Sequence, residues 1–220
     1  MKKRLDILVY EKGFAESREK AKAIIMAGLV YADNQKADKC GTSYDENVSL
    51  EVRGSVLPYV SRGGLKLEKA IKNFALDLSG KTAMDIGAST GGFTDCLLQR
   101  GASFAVTVDA GVGQLHPKLR ADRRVRNIEK YNARNLSVAD TGIADLVVMD
   151  VSFISQTYIL PRIPAVLAEG GMLVSLIKPQ FEAGRGALNK QGVVRNVKDR
   201  IFAVARVLEA AAAVGLTPMG

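Results

Sequence analysis

Tryptophan is absent from this 220-residue sequence, histidine occurs once and cysteine twice. Cys40 and Cys96 fall outside any metal-ligand spacing, and one histidine adds no cluster, so a zinc or other metal site is not expected and the thiols read as unpaired. No apolar run reaches the ~18 residues of a membrane-spanning helix. The N-terminus, MKKRLDILVYEKGF, lacks the apolar stretch of a signal peptide. These absences predict a cytoplasmic protein with no membrane partner.

What is present is enough for a core: 47% of residues are apolar and 25% charged. A chain of this length forms one domain or a small one joined to a medium one. The net charge of +8 is uneven. Residues 1–57 are near neutral, with ten basic and nine acidic side chains, whereas residues 58–72 contribute +3, 118–134 contribute +5 and 178–200 contribute +4. Basic clusters of this kind suit a polyanion such as nucleic acid. A solvated basic surface is the alternative for any one of them.

Residues 3–53 read as a small α+β unit. A helix from Lys3 ends at Gly13; a second, capped by Ser17, runs to Gly28; Leu29–Ala32 and Val48–Val52 read as strands around an Asp33-Asn34 turn. Residues 54–60, with glycine, serine and proline, read as a linker. Ser61-Arg62-Gly63-Gly64-Leu65-Lys66-Leu67 then opens a helix to Phe74.

From residue 82, strands and helices alternate. Thr82–Ile86, Ala105–Asp109, Leu146–Asp150 and Met172–Ile177 are the predicted strands, with helices at Gly92–Arg100, Gln156–Leu167 and Val197–Val214. Alternation predicts an α/β, doubly wound, mostly parallel Rossmann-like sheet, which binds ligands at the carboxyl ends of its strands. Asp85, Asp109, Asp150 and Lys178 all fall at such ends, which makes that rim the candidate site. Asp109, 24 positions after Asp85, stands where a carboxylate accepts from ribose hydroxyls. A lysine ending a buried strand is costly unless paired or shifted, and can serve as a base or orient a hydroxyl. The plain alternative is an Asp150–Lys178 ion pair.

The small-residue turn Asp85-Ile86-Gly87-Ala88-Ser89-Thr90-Gly91-Gly92-Phe93-Thr94 does not fit the dinucleotide fingerprint, because Ser89 stands where its second glycine would be. Asp-x-Gly-x-x-x-Gly-Gly instead resembles the first motif of S-adenosylmethionine-dependent methyltransferases. The pattern RLDxxL…G…SRxxAxxxIxxGxV resembles the S4 RNA-binding module, which implies that Arg4, Arg18, Lys20 and Lys22 approach phosphates. Further on, YVSRGGLKL, DIGASTGGFTDCLL, VDAGVGQL, VVMDVSFIS and IKPQFEAG match in order the TlyA family of bacterial rRNA ribose 2′-O-methyltransferases, long labelled haemolysins. That family joins an S4 module to a methyltransferase domain like that of the FtsJ/RrmJ group.

The resemblance implies an S4-like RNA-binding domain over 1–57, a linker over 58–62 and a methyltransferase domain over 63–220. It implies S-adenosylmethionine as cofactor, held by Asp85, Gly87, Ala88, Ser89, Thr90, Gly91, Gly92, Phe93 and Thr94 with Asp109, Gln114 and Asp150. It implies a catalytic Lys-Asp-Lys-Glu set whose first three members are Lys66, Asp150 and Lys178. Lys178, with a pKa lowered by burial and by Lys66 and opposed by Asp150, would be the base or hydroxyl orienter. The fourth member, a glutamate on the last strand, has no counterpart in this sequence, and Glu209 on the preceding helix does not replace it. The chain and its last strands therefore read as C-terminally truncated. Ribosomal RNA is the implied partner, with cytidine as target; Arg62, Arg120, Arg123 and Arg124 join the RNA-facing cations, Arg126 extends that run, and Arg185-Gly186 suggests a mobile loop. His116, in the GQL turn, is placed beside the adenosine rather than in catalysis. An RNA-binding protein with an inactive methyltransferase fold is the alternative, and a membrane-active haemolysin a weaker one.

Overall fold

The protein is described by a computed structural model covering residues 1–54 and 57–219. It divides into two compact units, Met1–Pro58 and Tyr59–Gly220. The expected linker at 54–60 falls partly on Ser55 and Val56, which lie outside the described residues.

In the first unit, β1 (Lys2–Arg4) leads directly into α1 (Leu5–Glu11), so the helix expected from Lys3 begins two residues later. Ser17 caps α2 (Arg18–Met26), its hydroxyl accepting from Lys20 N at 3.2 Å. Strands β2 (Val30–Ala32), β3 (Gln35–Lys36), β4 (Ser43–Asp45) and β5 (Leu50–Val52) follow. β1 pairs with β4, and the other three form an antiparallel sheet in the order β3-β2-β5. Asp33 and Asn34 take positive φ (49° and 64°), as a tight hairpin demands. Leu5, Leu8, Val9, Ala21, Ile24, Ile25 and Val30 form the core. Beneath it lies Asp6, fully buried, whose two oxygens accept from Arg4 Nε (3.0 Å) and Arg18 Nη2 (3.0 Å). Hydrogen bonds from those guanidinium groups hold its carboxyl down at about 2 against burial.

The second unit opens with α3 (Gly63–Asn73) and β6 (Thr82–Ile86), then α4 (Gly92–Gln99), β7 (Phe104–Val108), α5 (Pro117–Arg120), β8 (Val125–Ile128), α6 (Val138–Thr141), β9 (Ala144–Met149), α7 (Ile163–Val166), β10 (Leu167–Ser175), α8 (Pro179–Glu182) and α9 (Val197–Ala212). The five strands form one parallel sheet ordered β10-β9-β6-β7-β8. Chain direction across the sheet reverses between β6 and β9, and a doubly wound sheet opens its ligand crevice at that switch point. Both faces are covered. Met84, Ile86, Val147 and Met149 pack with Ile159, Ile163 and Val207, while Ala83, Leu146 and Val148 pack with Leu67, Leu97 and Ile71.

Two expectations are corrected. The helix expected over Gln156–Leu167 is broken into 3₁₀ turns at Gln156–Tyr158 and Leu160–Arg162 followed by the short α7. Pro161 and Pro164 remove the amides a continuous helix would need. β8 was not anticipated, because VRNI lies inside a basic run and shows little alternation.

Candidate active site

β6 delivers Asp85 and then turns at Gly87, whose φ of +83° no side chain adopts easily; a Cβ there would stand 2.9 Å from the Asp150 carbonyl oxygen. The absence of that Cβ lets the turn after β6 lie against the end of β9. Gly91, at φ +89°, precedes α4 and is covered by Leu115 and Leu119. Asp85 is fully buried: Oδ2 accepts from Thr94 N (3.0 Å) and Thr94 Oγ1 (2.6 Å), while Oδ1 has no hydrogen-bond partner among the described residues. Burial, with smaller contributions from Asp150 and Asp109, pushes its carboxyl up to about 7 against the Thr94 bonds.

A cleft of about 210 Å³ opens here. Of the residues expected to hold the cofactor, Asp85, Gly87, Ala88, Ser89, Thr90, Gly92, Phe93 and Asp150 line it, together with Lys178, Ser61, Gly63 and Ser152. Thr94 supports Asp85 from behind. Asp109 and Gln114 stand off the lining: Asp109 Oδ2 accepts from Ser89 N (2.8 Å) and Oδ1 from Gly111 N (2.7 Å), binding the turn after β7 to the turn after β6. His116 caps α5 by accepting from Lys118 N at 3.2 Å, outside the cleft.

The three residues expected to act together converge from three elements. Lys66 of α3 places Nζ 3.3 Å from Asp150 Oδ2, and Lys178, after β10, places Nζ 2.5 Å from Asp150 Oδ1. Lys178 also donates to Ser152 Oγ at 2.8 Å, so its ammonium bridges the Asp150 carboxylate and the Ser152 hydroxyl. One carboxylate thus lies between two cations at the cleft mouth, with Lys66 the more exposed of the pair.

Sequence reasoning assigned no role to Phe153 or Phe181. Phe153 is 92% exposed with φ +63°, and its ring centroid lies 5.3 Å from that of Phe181. The sequence signal is an aromatic three positions after each charged strand end, Asp150 and Lys178.

Among the cations expected to face RNA, Arg4 and Arg18 are anchored on Asp6, Lys20 pairs with Glu16, Arg120 with Glu129 and Arg124 with Asp122. Lys22, Arg62 and Arg123 have no ion-pair partner among the described residues. Also among them, no helix is long and apolar enough to cross a membrane and no His, Cys, Asp or Glu group could hold a metal.

A parallel sheet with this strand order, a glycine turn after its central strand and acidic residues at neighbouring strand ends define a Rossmann-like methyltransferase fold. The chain belongs to the FtsJ-like methyltransferase family, whose profile matches residues 59–214, and it carries an S4 domain at residues 3–47. It is 48% identical over 216 residues to a candidate rRNA methyltransferase, YqxC, of Bacillus subtilis, covering 97% of this chain and 77% of that protein. It is 41% identical over 219 residues to the 16S/23S rRNA (cytidine-2′-O)-methyltransferase TlyA of Mycobacterium tuberculosis, covering 99% of this chain and 82% of that protein. A solved candidate hemolysin from Streptococcus thermophilus superposes with a TM-score of 0.75 at 44% identity, covering all of this chain and 81% of the other.

Proposed function

We propose that this chain transfers a methyl group from S-adenosylmethionine to a ribose 2′-hydroxyl of ribosomal RNA, at cytidine. The observation that carries this reading is the Lys66–Asp150–Lys178 cluster at the mouth of a cleft whose floor holds a buried, unpartnered carboxylate oxygen. That oxygen, Asp85 Oδ1, fits the α-ammonium of the cofactor, whose body the cleft beside it would take. When bound, the cofactor supplies a methyl already made electrophilic by its sulfonium.

The protein's part is alignment and charge control. Lys178 faces the ribose hydroxyl, steering its oxygen toward the methyl and stabilising the negative charge that grows there as the hydroxyl proton passes to solvent water at the open cleft. Asp150 fixes Lys178 and Lys66 with respect to each other. Phe153, exposed at the same rim, offers a face on which a base turned out of its helix can stack. The S4 unit and the unpaired cations Lys22, Arg62 and Arg123 supply phosphate contacts.

The test is product analysis. Purified chain is incubated with methyl-labelled S-adenosylmethionine and either transcribed 16S and 23S rRNA or ribosomal subunits, and the RNA is digested to nucleosides. Label in 2′-O-methylcytidine supports the reading. Label on a base, or RNA binding with no label, would replace it by another methyl acceptor or by a binding function.

A further inference from the structure

Two loops build the Lys178 side of the cleft. Residues 150–156, after β9, carry Asp150, Ser152 and Phe153; residues 176–182, after β10, carry Lys178 and Phe181. A buried carboxylate joins them at the base. Glu182, 1% exposed, accepts from Ser155 Oγ at 2.5 Å and from Gln156 N at 2.9 Å. The Gln156 side chain returns the contact, donating to Leu176 O at 2.6 Å and accepting from Ser175 Oγ at 2.6 Å. Arg206 donates to the Glu182 backbone oxygen, not to its carboxylate, and the carboxylate has no ion pair among the described residues. Burying a carboxylate against neutral donors alone costs free energy that an apolar side chain would avoid. What such a carboxylate provides is direction: two fixed acceptors aimed at one strand of chain.

We propose that Glu182 is a positioning residue that locks the Phe153 loop to the Lys178 loop, so that the aromatic receiving the base and the ammonium facing its ribose keep one separation; this rests on the reading of the cleft as a methyl-transfer site for RNA. Phe153 needs such a tie. Its φ of +63° is unfavourable for an aromatic side chain, and its exposure leaves no core contact to hold it. Its visible restraints are the Phe181 ring, one residue before Glu182, and the Ser152–Lys178 hydrogen bond. Both depend on the two loops staying in register, which the Glu182 carboxylate fixes.

Because the 220-residue chain has no tryptophan, Phe153→Trp supplies a single fluorescent reporter of this loop. In that background Glu182→Ala is expected to lower indole anisotropy, and Glu182→Gln, which keeps the shape and an acceptor for Gln156 N–H, to restore most of it. With Phe153 retained, Glu182→Ala is expected to lower kcat for rRNA methylation about 10- to 100-fold while cofactor affinity stays within about twofold, since Asp85 and Thr94 hold that site from other elements. If Glu182→Ala does not fold, Ser155→Ala, which removes one arm of the tie, is expected to give the same changes at smaller size. Unchanged anisotropy, or a fall in cofactor affinity as large as the fall in kcat, would overturn the proposal. Anisotropy requires no RNA. A parent chain that fails to methylate rRNA would therefore overturn the functional reading, while the fluorescence still decides the role of Glu182.

Discussion

Asp85, which lines the cleft, has one carboxylate oxygen bonded twice to Thr94 and the other, Oδ1, buried without a hydrogen-bond partner among the described residues. With its carboxyl raised to about 7, the free protein carries that group partly protonated near neutrality. A cation that needs the ionised form must first displace the proton. S-adenosylmethionine affinity is therefore expected to rise on the order of tenfold between pH 6 and 7.5, and Asp85→Asn to bind weakly with no such slope; calorimetry across that range checks both. The sign for stability is opposite. A carboxyl whose folded pKa exceeds its unfolded value makes the ligand-free protein less stable as pH rises from about 4 to about 7. Asp85, Asp150 and Lys178 were legible because each ends an apolar run, where a charge has no packing reason to stand. Phe153 was not, because neither exposure nor a positive φ leaves a mark in hydrophobic pattern.

Elements were legible where periodicity and breakers agreed. β6 and β9 are apolar runs of strand length, and α4 and α9 show helical spacing after small or polar caps. The segment 156–167 has helical apolar spacing too, yet Pro161 and Pro164 outweigh it, since each removes an amide and crowds the preceding turn. β1, β3 and β4 are two or three residues long, too short to show a period; β1 and β4 are held by pairing with each other across most of the unit, and β3 by its hairpin to β2. In the first unit the decisive element contact is Asp6 on Arg4 and Arg18. Its lowered pKa means that the stabilisation is present above about pH 4 and is lost as pH falls toward 2. Asp6→Asn is expected to cost roughly 2 kcal/mol at neutral pH and to remove that acid dependence, measured by urea unfolding of the chain from pH 2 to 7. An unchanged acid limb would assign it to other carboxylates.

At the scale of the molecule, the net charge of +8 and the presence of an S4 domain beside a methyltransferase unit point to RNA. The structure refines which cations are available. Arg4, Arg18, Lys20, Arg120 and Arg124 already answer carboxylates, whereas Lys22, Arg62 and Arg123 have no ion pair among the described residues. Charge counting along a sequence could not distinguish the two sets, because ion pairing depends on the fold. Arg123→Ala is expected to lower the slope of log affinity for rRNA against log salt by about 0.7–0.9, with little change in the methylation rate at saturating RNA. An unchanged slope would assign Arg123 to the solvated surface.

In the proposed reaction everything converges on Lys178, fixed by Asp150 and acting on the ribose hydroxyl. The most direct test of that role is single-turnover methyl transfer to rRNA by Lys178→Ala, with cofactor and RNA affinity measured on the same preparation. The expected rate is at least about 100-fold lower, with both affinities within a few-fold of the parent. Transfer at the parental rate with both ligands bound would contradict it.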